Sequence, residues 1–533
     1  MASSASSSAN GSIEGRAQQS HPAPQRTAQT GGTAEKRGGR FANLFPLGYK
    51  EGFSQWWSAV TPEAAEAAVL NFLPFKHPSP AVSPSDPHTT ATTSPPTADP
   101  YGPRECTSTL VPLSGKNRVL NEFSVTRTDE PPAKHHLVIL HGYGAGLGFF
   151  YRNFDALSRI PGWKVWSLDL LGYGRSSRPP FTIHSKDQDA KITEAEDWFI
   201  DALEEWRKIR GIESFTLMGH SLGGYLSTRY CLKYGAGKVE KLILVSPVGV
   251  PEDPWAVQEK LPDSKDNIAS NNEHLRNQED LRASSDANLP YSVDRNIPDE
   301  RDSAAASKPR NASNTSLPAS ENGTTKPAIA RRPLPWWFNY LWDANLSPFA
   351  LVRWSGPLGP RLVSGWTTRR FNHLSPAEAQ ALHNYSYSIF RQRGSGEYAL
   401  AYILAPGAYA RRPLIWKVTD LVNKCGLTGI PSVWMYGSHD WMDCVAGMQA
   451  VEKIRSTSLP EGADESQSPY IGGEDWRGNY KGRGGEAKVL FVDNAGHHLY
   501  LDNADQFNSL ISKEMKDVEL RGLFRGSVVE ESK

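Results

Sequence analysis

Across 533 residues, 58 Lys and Arg are matched by 58 Asp and Glu, so the chain has no net field to draw in a polyanion, and it carries no nucleic-acid-binding motif. A mean hydropathy of −0.50 and the lack of any apolar run near the ~18 residues of a spanning helix argue against a transmembrane segment. Cys106, Cys231, Cys425 and Cys444 have neither metal-ligand spacing nor the density of a disulfide scaffold, so a reduced compartment and no metal or cofactor are expected.

Residues 1–42 are rich in Ser, Ala, Gln and Gly, with Arg16, Arg26, Lys36, Arg37 and Arg40 against Glu14 and Glu35. That composition fits a disordered tail and equally a mitochondrial transit peptide. In 43–75, "TPEAAEAAVL" has a helix-start signature: Thr61 as N-cap, Pro62 at the first position and Glu63 in the first turn. Glu66 lies beyond that turn, where the dipole benefit fades. Phe53, Trp56 and Trp57 precede this helix and suit either packing on the main domain or a membrane interface. Residues 76–106 read as a disordered linker, because their Pro, Ser and Thr cannot bury enough apolar surface to offset ordering entropy.

From 107 strands and helices alternate. "HHLVILHG" (135–142) and "WKVWSLDLLGYGRS" (163–176) read as strands entering Gly-rich loops, and "EDWFIDALEEWRKIRGI" (196–212) as an amphipathic helix. "SFTLMGHS" (214–221) is a strand, "GGYLSTRYCLKYG" (223–235) a helix and "KLILVSPVGVP" (241–251) another strand, closing a first core part at 107–255. Residues 256–332 lack apolar periodicity and read as a disordered insertion. Residues 333–425 should form a helical cap. "IPSVWMYGSHD" (430–440) and "AKVLFVDNAGHH" (487–498) give two more strands, in a second core part at 426–525. Continuous apolar strands alternating with helices predict an α/β fold with a buried, mostly parallel sheet.

The chemistry centres on "GHSLG", where Ser221 stands between a strand and a helix in the spacing of a nucleophile elbow. A serine hydroxyl needs a base to take its proton, and in this arrangement an acid and then a histidine follow in the chain. His497, at the exit of the last strand, is the candidate base, with His498 as competitor. Asp440 is three residues past the strand-ending glycine and can orient that base; Asp443 is the reserve. The oxyanion donors are expected from the N–H of Leu222, after the serine, and of Tyr143 in "HGYGAGLG" (141–148).

Together "HGYGAG", "DLLGYGRSSRP", "GHSLGGY", "YGSHDWMD" and "GHHLYLD" resemble the α/β-hydrolase fold family. Within it they resemble the lipid-acting branch that includes a mitochondrial cardiolipin deacylase and a lipid-droplet lipase coactivator. The spacing from His497 to Asp502 is a second signature of that branch, associated there with lysophospholipid acyltransferase activity. The resemblance implies a serine hydrolase that deacylates a membrane phospholipid of the cardiolipin type, working at a membrane surface. It implies a mitochondrial location, with cytoplasm or the lipid-droplet surface as alternatives. The branch leaves two other activities open: an acyl-CoA-dependent lysophosphatidate acyltransferase, and a non-catalytic scaffold that recruits a lipase. The retained Ser221 weighs against the scaffold. In the cap, Trp336, Trp337, Phe338, Tyr340, Trp342 and Trp354, with Arg353, Arg361, Arg369 and Arg370, suit either cap packing or an acyl chain joined to an anionic head group.

Overall fold

The computed structural model describes residues 46–58, 60–76, 99, 101–258, 261, 342, 345, 347–425, 429–458 and 484–531. These all fall in the compact unit Phe45–Lys533. The expected tail at 1–42 and nearly all of the insertion at 256–332 lie outside the described residues.

An eight-stranded sheet carries the molecule. Its strands are β1 (Arg104–Pro112), β2 (Val119–Arg127), β3 (His135–Leu140), β4 (Trp163–Leu168), β5 (Phe215–His220), β6 (Val239–Val245), β9 (Ser432–Gly437) and β10 (Ala487–Val492), with a separate hairpin of β7 (Leu404–Ala405) and β8 (Tyr409–Ala410). The order across the sheet is β1-β2-β4-β3-β5-β6-β9-β10. Only β1 with β2 and β2 with β4 are antiparallel; the other neighbours are parallel. Every residue of β5 and of β9 is buried, which is why those strands read as largely apolar runs without alternation. Because β3 lies between β4 and β5, the chain changes its direction of travel across the sheet there. The crevice at the carboxyl ends of such strands is where open α/β sheets bind ligands.

Helices α1 (Tyr49–Ser58), α2 (Pro62–Leu70), α3 (Tyr151–Leu157), α4 (Gln188–Ile209), α5 (Leu222–Tyr234) and α6 (Pro254–Gln258) precede the cap. The cap holds α7 (Pro348–Trp354), α8 (Gly359–Arg370), α9 (Pro376–Phe390), α10 (Leu400–Ile403) and α11 (Asp420–Asn423); α12 (Cys444–Ser456), α13 (Leu499–Asp502) and α14 (Ala504–Glu531) complete the core. Thr61 caps α2 as expected, accepting from Ala64 N at 3.2 Å. The N-terminal segment packs on the cap: Arg361 Nε donates to Leu47 O at 2.8 Å, and His383 Nε2 meets Gln55 Oε1 at 3.0 Å.

Three expectations need correction, and one strand was not anticipated. The linker at 76–106 overlaps β1, which already starts at Arg104, and the core runs past 525 because α14 continues to Glu531. Helix α4 starts at Gln188 rather than 196, since Asp187 caps it by accepting from Ala190 N at 2.9 Å. Strand β2 hid behind buried polar residues, of which Glu122 takes the Trp206 indole at 2.7 Å and Asn121 donates to Asp169 at 2.8 Å.

Candidate functional site

Strand β5 ends at His220, α5 begins at Leu222, and Ser221 makes the turn between them with φ 53° and ψ −116°. A left-handed non-glycine residue costs on the order of 1–3 kcal/mol and persists only where its surroundings fix it. Here Ser221 N donates to Val245 O of β6 at 2.9 Å, while its carbonyl accepts from Gly224 N and Tyr225 N of α5. The turn is too tight for a side chain at Gly219, where a methyl group would stand 2.3 Å from Gly223 O. The hydroxyl is thus held at the carboxyl edge of the sheet, and the N–H of Leu222 opens the helix with no acceptor one turn back.

The loop after β3 runs directly beside this turn. A methyl on Gly142 would lie 2.8 Å from His220 Nδ1 and 3.0 Å from Ser221 Cβ, so only glycine lets the 141–143 backbone approach. Tyr143 follows, its ring stacked on Phe349 of α7 at 5.3 Å. The fully buried His141 shapes the loop: its Nδ1 donates to Gly142 O at 2.7 Å and its Nε2 accepts from Leu170 N at 3.0 Å. Burial holds this imidazole below the ordinary histidine range, which fits the neutral form that those two bonds require. Asp169 fixes the far end by accepting from Leu147 N at 2.8 Å.

Across the site, His497 Nδ1 meets Asp440 Oδ1 at 3.2 Å. Asp440 also accepts from Met442 N at 3.1 Å and from the Ser246 hydroxyl. Burial alone would raise its carboxyl, yet His497 and these donors outweigh it and hold Asp440 below the usual carboxylate range. His497 is tied to the Ser221 turn through its backbone, since its carbonyl accepts from His220 Nε2 at 3.0 Å, and Trp441 stands 4.9 Å from its ring. Among the described residues, Ser221 Oγ makes no hydrogen bond to the His497 ring. Such bonds are often long before substrate binds.

The reserve residues fall elsewhere. Asp443 is the N-cap of α12, accepting from Ala446 N at 2.9 Å. His498 is buried against Phe149 and His220, with ring centroids at 6.1 Å and 5.1 Å. Asp502 accepts from Gly496 N at 2.9 Å and stands 3.6 Å from His373 Nε2, so it braces the loop before His497. Ser246, His141 and Asp169 were not anticipated from the sequence: before β6 and β9 are known to be adjacent, Ser246 looks like any serine ending a strand.

The cap arginines divide. Arg353 pairs with Glu397 at 2.8 Å, and Arg361 binds Leu47 O and lies 3.6 Å over the Tyr49 ring. Arg369 and Arg370 end α8, and the charge of Arg370 acts on His220 and His498. Trp342 is buried and Trp354 exposed, whereas Trp336, Trp337, Phe338 and Tyr340 lie outside the described residues.

The alpha/beta hydrolase fold family matches residues 135–461. A 1-acylglycerol-3-phosphate O-acyltransferase of Arabidopsis thaliana is 30% identical over 404 residues, covering 75% of this chain and 70% of the relative. A (lyso)-N-acylphosphatidylethanolamine lipase of Homo sapiens is 26% identical over 414 residues, with 77% and 86% covered. The 1-acylglycerol-3-phosphate O-acyltransferase ABHD5 of Mus musculus is 27% identical over 407 residues, with 76% and 82% covered.

Proposed function

This chain belongs to the α/β-hydrolase fold family, and from that premise we propose that it is a serine hydrolase cleaving acyl esters of membrane phospholipids. The observation that carries this reading is the strained Ser221 turn locked beside the Asp440–His497 pair. Ser221 Oγ attacks the ester carbonyl while His497 Nε2 takes its proton. The oxyanion develops toward the N–H groups of Leu222 and Tyr143. His497 then returns the proton to the departing lysolipid oxygen, and water reverses the sequence to release the fatty acid. Asp440 keeps Nδ1 protonated and stabilises the imidazolium. The lipid-acting relatives support a phospholipid or lysophospholipid substrate. Cardiolipin is one candidate within that class, put forward by the sequence resemblance alone.

A peripheral membrane position is supported by aromatics left exposed on α1, Tyr49, Phe53 and Trp57, and by Trp354 on α7. No helix among the described residues is long and apolar enough to cross a membrane. Mitochondrial targeting by 1–42 is a separate proposal, tested by deleting that segment and following the protein's location.

The second reading is acyl transfer to a lysophosphatidate, the activity named for two of the relatives. In it the Ser221 acyl-enzyme is resolved by a lysolipid hydroxyl. A direct His497–Asp502 mechanism finds no support, because Asp502 is engaged by Gly496 and His373. The deciding experiment labels wild type and Ser221→Ala with a fluorophosphonate, then analyses products from a phospholipid panel with and without acyl-CoA. Absence of labelling in wild type would sink the hydrolase; acyl transfer that survives Ser221→Ala would favour a serine-independent transferase.

A further inference from the structure

We infer that Arg370, with Arg369, forms the subsite for the phosphate of the lipid whose acyl ester is presented to Ser221. This deepens the hydrolase reading and rests on it. Of the cap arginines Arg353, Arg361, Arg369 and Arg370, the first two are committed to the fold through Glu397, Leu47 O and Tyr49. Arg370 is not: its Nε is buried and has no hydrogen-bond partner among the described residues. A buried guanidinium N–H without an acceptor is costly, and the cost disappears when an anion supplies one. A plain helix C-terminal role would explain basic residues at the end of α8, since cations are favoured there. It does not explain a buried Nε that bonds to no carbonyl of that helix end.

Position points to substrate. Phe371, the next residue, packs on Phe149 at 6.0 Å, and Phe149 packs on His498 at 6.1 Å. Two residues further, His373 stands 3.6 Å from Asp502, whose other oxygen holds Gly496 N. The segment 370–373 therefore runs along the loop that carries His497. Burial holds His220 and His498 well below the ordinary histidine range, and the charge of Arg370 acts on both in the same direction. Those two histidines are chain neighbours of Ser221 and of His497. Arg369 is partly buried, and that burial lowers its guanidinium with no carboxylate to counter it. Asp502, on the loop that carries His497, is engaged by His373 and Gly496. An anion at Arg370 thus joins the two arginines that end α8, near His220 and His498.

The test compares kcat/KM for a 1-acylglycerol 3-phosphate with that for the 1-monoacylglycerol of the same chain, using full-length protein. In Arg370→Gln the phosphate-to-neutral ratio should fall roughly ten- to hundredfold, with partial recovery in Arg370→Lys. If Arg370→Gln does not fold, Arg369→Gln takes its place, with a smaller fall in the same ratio. An unchanged ratio in a folded variant overturns the subsite. Inorganic phosphate at millimolar concentration should leave wild-type turnover unchanged. Inhibition that vanishes in Arg370→Gln while the phosphate-to-neutral ratio stays unchanged would assign the site to free phosphate and overturn the headgroup. Fluorophosphonate labelling separates the two failures: an unlabelled wild type sinks the hydrolase reading, whereas labelling with an unchanged ratio sinks only the subsite.

Discussion

Two carboxylates, one at the reactive edge of the sheet and one in the network beneath it, have side chains only 1% exposed, yet they are pushed in opposite directions. Asp440 is held below the usual carboxylate range, while Glu66 of α2 is pushed up to about 7. Burial raises both. At Asp440 it is overcome by His497, the Ser246 hydroxyl and Met442 N, all of which favour the charged form. At Glu66 burial is reinforced by the negative charge of Asp169, and Arg175 at 2.6 Å with Asn121 at 2.9 Å does not make up the difference. Partners, not depth, decide which buried acid stays ionised. The reactive edge is arranged to keep a charge, whereas the network below it discourages a second one.

The largest blow to the reactive edge is Ser221→Ala. Ester turnover should fall by about 10⁶-fold, as when other serine triads lose their nucleophile, with the melting temperature little changed. Residual activity within tenfold of wild type would remove Ser221 from the mechanism. Asp440→Asn should come next, with kcat down by about 10⁴-fold because an amide at this position favours the wrong His497 tautomer. Fluorophosphonate labelling rates measure both effects without a known substrate. Ser246→Ala is the milder probe of the same region. Loss of its hydroxyl raises the Asp440 carboxyl. A depressed acid contributes stability above its ordinary value of 3.8 that is lost as pH falls through the folded value. Acid unfolding of Ser246→Ala, followed by circular dichroism, should therefore begin at a higher pH than in wild type, with turnover reduced by about tenfold. Coincident acid transitions would show that Ser246 does not hold the charge.

The two regions were not equally legible. The reactive edge announces itself because its chemistry is local: glycines at 219, 223 and 142 mark backbones that must approach closely, and apolar strands precede each candidate residue. Asp440 and His497 could be proposed from their places after such strands. Ser246 could not be distinguished from an ordinary turn serine until β6 and β9 were adjacent. The lower network gave no such signal. Glu66 looks like a surface residue near the start of an amphipathic helix, and "VLNEFSVTR" looks too polar for an inner strand. Only the sheet order, which puts β2 against β4, brings Asn121 to Asp169 and lets α2 lower Glu66 onto both Asn121 and Arg175. Pairing across 109 residues leaves no periodic trace.

Glu66→Gln sharpens the contrast most gently. A carboxyl whose folded pKa lies above its unfolded value holds a proton that the unfolded chain has already released, so stability falls as pH rises. For Glu66 the window runs from 4.5 to about 7. The slope there is at most about 1.4 kcal/mol per pH unit, and the full cost persists above the window. At pH 5 the protonated acid and the amide are nearly equivalent. At pH 8 wild type buries a charge that the glutamine lacks. Thermal melts of the two proteins should therefore diverge in favour of Glu66→Gln as pH rises from 5 to 8, even though the variant loses its ion pair with Arg175. Parallel curves would mean that Arg175 keeps Glu66 ionised throughout, and the supposed difference between the two buried acids would disappear. Turnover should change little, because Asp169 still holds Leu147 N and His141 still braces the loop beside Ser221.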